Sequence, residues 1–251
     1  MSESAWLSQL TTEELRTFLA LSPTVVLVPV GSVEPHGPHL PLATDTILSE
    51  TACDKATIVF EEHGIHALVA PSISYGVTDY ARGFSGALSI PAETLTLFLR
   101  AIVDSLLKEG FSHVCLVNNH LEPAHDAAVR AAVAGNIHAS CACPLTRRWA
   151  RTLSDEFKRG DCHAGRYETS LVMAASPDSV GPVANLPPFM ISLADGIRDG
   201  KKTFTEMGMY RAYTGAPGEA TAEEGEELYE KLVTMIVTEV QEGLAAANSA
   251  T

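Results

Sequence analysis

Two short segments each carry a carboxylate and an imidazole two residues apart: Glu34 with His36, and His120 with Glu122. In an extended backbone, residues two apart point the same way, roughly 6 to 7 Å between Cα atoms at about 3.3 Å per residue. Each segment therefore offers one oxygen and one nitrogen donor to a common space. That mixture suits zinc, manganese or iron. Asp45, at the start of the stretch leaving the first segment, supplies a fifth donor able to bridge two ions. Two divalent ions about 3.5 to 4 Å apart can share a hydroxide and polarise a carbonyl, so the expected chemistry is hydrolysis of a C–N bond. Either pair alone would pass for ordinary loop residues. The repeat of the pair after two similar apolar runs makes a site.

Placing the pairs falls to the elements around them. Residues 24–30, TVVLVPV, are an unbroken apolar run and read as a strand buried on both faces of a parallel sheet. Pro35, Pro38 and Pro41 then each remove a backbone donor, which makes the following segment a loop. From Asp45 to His63 apolar residues recur at helical spacing, Gly64 stops the helix, and residues 66–74 are expected as a second strand. Pro91 opens another helix that closes at Gly110, residues 113–119 form a further buried strand, and Pro123 begins an alanine-rich helix. Residues 137–145 are expected as strand and 163–176 as helix. An opening helix with a Thr11–Glu14 capping box and a closing amphipathic helix over 221–247 flank the rest. Residues 182–218 show no period. Such alternation implies an α/β fold with a mostly parallel sheet in one domain spanning residues 1–251. Ligands then gather beyond the carboxyl ends of the strands.

The first pair lies in VGSVEPHGPHLPLATD (30–45), and three more blocks follow in order: YGVT with FSGALSIP (75–91), VNNHLEP (117–123) and HAGRYETS (163–170). Together they resemble the creatininase family over residues 24 to 180. That resemblance implies a three-layer α/β/α sandwich, two divalent ions, zinc or manganese most often with iron as an option, and hydrolysis of small cyclic or linear amides. It also implies a homo-oligomer, often a hexamer. Carried over by position, Glu34 and His120 would serve one ion, His36 and Glu122 the other, with Asp45 between them. His163 gains the role of moving the proton between attacking water and leaving nitrogen, for which an imidazole suits. Glu168 either orients His163 or touches a metal. Thr78 is a candidate substrate contact, as are Leu121 and Arg159.

Leu121 and Arg159 are also where the resemblance to creatininase proper stops, because it has aromatic residues at those positions. The only tryptophans here are Trp6 and Trp149. Creatinine is therefore not the expected substrate. A deformylase or peptidase in a biosynthetic pathway, and a ligand-binding member without turnover, remain the alternatives.

Composition narrows the classes further. Lys and Arg total 17 against 31 Asp and Glu, a net charge of −14 that disfavours nucleic acid and anionic membranes as partners. With 46% apolar residues the chain can bury a sizeable core. Five cysteines, an odd count in a chain of this size, suit reduced thiols in a cytoplasmic protein. The first twenty residues carry acids rather than a basic head and apolar stretch, so no signal peptide is expected.

Overall fold

The apolar run from residue 24 does become the centre of a sheet. In the computed structural model, which describes residues 5–250, strand β1 (Thr24–Val30) is buried along its whole length. After α1 (Thr12–Leu19) and β1 come α2 (Thr44–Glu62), β2 (His66–Val69), α3 (Ala92–Glu109), β3 (His113–Asn118) and α4 (Pro123–Val133). They are followed by β4 (Ala139–Ala142), α5 (Arg147–Ala150), α6 (Asp155–Arg159), α7 (Arg166–Ala175), α8 (Leu193–Arg198) and α9 (Ala222–Ala250). The four strands lie in the order β2-β1-β3-β4, all parallel.

Alternate residues of each strand feed two different cores, as side-chain alternation requires. Val25, Leu27, Cys115 and Val117 face α2, α7 and α9; Val26, Val28, Val114 and Leu116 face α3 and α4, with α1 packed at their edge. Helices thus cover both faces of the sheet, the arrangement that fully buried parallel strands need. The capping box at Thr11 is formed: its hydroxyl accepts the Glu14 amide, and its own amide donates to the Glu14 carboxylate at 2.7 Å.

Two expected strands are shorter than their apolar patterns. β2 ends at Val69, because Pro71 cannot donate to a ladder, and only Ile73 keeps a bridge to the end of β1. β4 is trimmed to four residues at the edge of the sheet. Residues 182–218 contain α8 and otherwise irregular backbone. A small apolar cluster of Ala81, Phe204, Met207 and Met209 holds this segment in place apart from the two main cores.

From β1 the chain winds to β2 on one side, then crosses back to place β3 on the other. The crevice beyond the carboxyl ends of β1 and β3 is therefore the switch point of the sheet. Both carboxylate–imidazole pairs leave from those two strand ends.

Candidate metal centre

Glu34 and His36 lie four and six residues past the end of β1, and His120 and Glu122 two and four past the end of β3. Asp45 sits in the first turn of α2, which lies close against the end of β1. A Cβ on Gly31 would stand 2.6 Å from the Thr46 nitrogen, so a residue without a side chain permits the approach. Glu168 occupies the first turn of α7, and His163 the loop before it. All seven side chains are buried, between 1% exposed for His36 and Asp45 and 8% for His163.

The two loop imidazoles are oriented by backbone carbonyls. His36 Nδ1–H donates to the Glu34 carbonyl at 2.9 Å, and His120 Nε2–H to the Val77 carbonyl at 2.7 Å. Each ring therefore turns its other nitrogen toward carboxylates. His36 Nε2 lies 3.2 Å from Asp45 Oδ1, 3.5 Å from Glu168 Oε2 and 3.8 Å from Glu34 Oε2, yet it has no hydrogen-bond partner. His120 Nδ1 lies 3.0 Å from Asp45 Oδ2 and 3.1 Å from Glu34 Oε2. Buried ring nitrogens facing carboxylate oxygens call for positive charge between them, a proton on the ring or a metal ion in its place.

Electrostatics says the same. Burial alone would raise the Glu34 and Asp45 carboxyls, but the facing imidazoles outweigh it. His120, His163 and His36 hold Glu34 below its usual range; His36 and His120 hold Asp45 well below. Burial would likewise lower His36 and His120, and the carboxylates reverse it: Asp45, Glu168 and Glu34 lift His36 to about 10, while Glu34 and Asp45 lift His120 well above its ordinary value. At the remaining three groups burial wins, raising Glu122 to about 7 and Glu168 to about 8 and lowering His163 to about 4. No lysine or arginine lines the cavity to balance its four carboxylates.

The donor atoms sort into three overlapping groups: Glu34, His120 and Glu122; His36, Asp45 and Glu168; and Glu34, His36 and His163. The sequence resemblance sets Glu122 with His36, whereas here its donor oxygen lies with those of Glu34 and His120. The amides of Asp79 and Tyr80 donate to Glu122 at 3.1 and 3.2 Å and fix it on the His120 side. Glu168 takes the place beside His36 instead, and its Oε2 also accepts the Ala164 amide at 2.6 Å. Ala164 adopts φ +47° there, a strained turn directly after His163. His163 donates from Nε2 to the Pro35 carbonyl at 3.1 Å, and its ring lies 4.6 Å from those of His36 and Phe204.

A narrow cavity of about 60 Å³ opens onto this centre. That is room for a few waters or a small functional group. Its far wall is apolar: Leu121, Leu193, Ile197, Phe204 and Met207, with Tyr80 beside them. Of the three candidate substrate contacts, Leu121 lines the cavity and the other two do not. Arg159 pairs with Asp161 at 3.0 Å, is more than half exposed, and opens onto a separate surface groove. Thr78 is fully buried and does not line the cavity. Residues 193–207 supply most of the apolar lining, and sequence reasoning missed them because apolar residues in irregular backbone have no period to read. Cys162, next to His163, also lines the cavity.

Residues 8–240 match the family model described as creatinine amidohydrolase. The chain belongs to the creatininase family. Members of that family are hydrolases of C–N amide bonds, and this chain is a metal-dependent amidohydrolase of that kind. It is 34% identical over 227 residues to a mycofactocin precursor peptide peptidase of Mycolicibacterium smegmatis, an alignment that covers 83% of this chain and 81% of the relative. It is 27% identical to a creatinine amidohydrolase of Pseudomonas putida, with 96% and 98% covered. A creatininase variant solved in a zinc–zinc form superposes with a TM-score of 0.73 over 97% of this chain and 99% of that one, at 22% identity. The three-layer fold with its mostly parallel sheet is thus that of the creatininases.

Proposed function

We propose that Glu34, His120 and Glu122 hold one divalent ion and that His36, Asp45 and Glu168 hold a second. Asp45 presents Oδ1 to His36 and Oδ2 to His120, so its carboxylate would be shared between the two sets of ligands. The observation that supports this reading best is the unpartnered, buried Nε2 of His36 among three carboxylates. Zinc and manganese are the proposed metals, since solved creatininases include zinc and manganese forms. Such a pair of ions, when bound, supplies an activated water and polarises the amide carbonyl. The protein's own part is to hold and move protons. His163 is neutral near pH 7, and the Nε2–H bond to Pro35 leaves Nδ1 as the atom that accepts a proton and returns it to the leaving nitrogen.

The proposed substrate is a linear amide, the peptide bond of a small peptide in particular, rather than creatinine. Two observations favour it: the relatives named as peptide peptidases at 31 to 34% identity, and a cavity wall of Leu121, Leu193, Ile197, Phe204 and Met207 without a tryptophan. Metal analysis of the purified protein, with chromatography of short peptides, formylated amines and creatinine after incubation, tests both halves. Two ions per chain, with turnover of a peptide abolished by Glu122→Gln, is the expected result. A metal-free active protein would sink the metal reading; turnover of creatinine alone would sink the peptide reading.

We further propose a cytoplasmic homo-oligomer. Support comes from five free cysteines and from the exposed apolar pair Leu97 and Phe98 on α3. Among the described residues no helix is long and apolar enough to cross a membrane. Analytical ultracentrifugation reads the subunit number.

A further inference from the structure

His125 lies in the first turn of α4, three residues after Glu122, and is fully buried. It does not line the cavity. Its Nδ1 accepts the Val77 amide at 3.2 Å, and its ring meets that of His120 edge to face at 4.6 Å. A nitrogen that accepts an N–H bond carries no proton of its own, so in the neutral ring the hydrogen is on Nε2. Gly76 presses on the same edge of the ring, where a Cβ would come within 2.3 Å of Nδ1.

The peptide group of Val77 belongs to a chain of contacts. Its carbonyl accepts from His120 Nε2, and two and three residues later the amides of Asp79 and Tyr80 donate to Glu122. One loop therefore aims two of the three side chains proposed for the first ion, and His125 is the buried side chain that receives the start of that loop. We infer that His125 is a positioning residue. By accepting the Val77 amide it fixes the 76–80 loop, keeps the His120 Nδ1 lone pair turned toward Glu34 and Asp45, and keeps Glu122 turned inward. It thereby sets the affinity of the ion shared by Glu34, His120 and Glu122 and leaves the ion at His36 and Glu168 unaffected. Partners behind metal-ligating histidines are worth roughly 10- to 100-fold in metal affinity.

This inference rests on the two-ion reading, and one titration separates the two. Metal-stripped wild-type protein is titrated calorimetrically with Mn²⁺, alongside His125→Phe, which keeps a ring but loses the acceptor, and His125→Asn, which keeps an acceptor near the position of Nδ1. The expected result is two sites in the wild type, one site weakened roughly 10- to 100-fold in His125→Phe, and that site largely restored in His125→Asn. Two unaltered sites in a folded His125→Phe overturn the inference; no sites in the wild type overturn the metal reading instead. Should the phenylalanine variant not fold, ¹⁵N spectra of the wild-type imidazoles decide. A protonated Nε2 and a bare Nδ1 on His125 are required, and the opposite tautomer overturns the inference.

Discussion

His163 and Arg159 lie four residues apart, and only His163 lines the cavity. His163 is packed between the tilted rings of His36 and Phe204, is held by the Pro35 carbonyl, and is kept neutral by burial. His163→Asn is expected to lower kcat by about 10²- to 10⁴-fold with both ions retained, as read by steady-state kinetics beside metal analysis. Arg159→Ala removes a guanidinium that faces Asp161 and solvent. Exposed pairs contribute under about 1 kcal/mol, so its kcat/KM should stay within about twofold of the parent. A large loss in that variant would return Arg159 to the substrate site. The five side chains selected by spacing, Glu34, His36, Asp45, His120 and Glu122, do converge, because two-residue spacing at a strand end leaves few ways to point. The neighbour of Glu168 was not legible. Whether a helical carboxylate reaches an imidazole 132 positions earlier depends on how α7 packs, which no local pattern encodes.

At the scale of elements, α7 is placed by α9. Gly225 in the first turns of α9 lies against Ser170 of α7 so closely that a Cβ would stand 2.0 Å from the Ser170 carbonyl oxygen. The Ser170 hydroxyl in turn donates to Glu224 at 3.0 Å and accepts the Thr221 amide. Gly225→Ala must push the helices apart, at a cost of about 1 to 3 kcal/mol. Calorimetry should show the melting temperature lowered by roughly 2 to 12 °C. An unchanged melting temperature would mean the crossing is looser than drawn. The strands and long helices were legible in outline, since continuous apolar runs and helical spacing survive averaging over a segment. Their ends were not: Pro71 cuts β2 short of its apolar pattern. The segment from Leu193 to Met207 stayed unreadable because its apolar residues face a cavity and one another, not a regular lattice.

For the whole molecule, buried neutral histidines tie stability to pH. Burial, more than any neighbouring charge, holds His39 and His113 down to about 4, each on a hydroxyl partner, Thr169 and Ser140. In the unfolded chain the same groups titrate near 6.5. Between those values the unfolded state binds more protons, so acid favours unfolding and the stability present above about pH 6.5 is lost as pH falls toward 4. Glu122 and Glu168, raised to about 7 and 8, act in the opposite sense within the same window, so the histidine contribution is read by difference: between pH 7 and 4 the parent should lose more melting temperature than His113→Asn, and parallel profiles would contradict it.

The two halves of the crevice also differ in origin. Its polar half comes from strand ends, helix starts and loops spread over residues 34 to 168. Its apolar half is largely one continuous stretch, residues 193–207, resting on its own small cluster outside both cores. The polar centre and most of the apolar lining are thus written in separate parts of the gene. A lineage could exchange that single stretch and alter what is cut while the cutting apparatus, and the fold that carries it, stayed as they were.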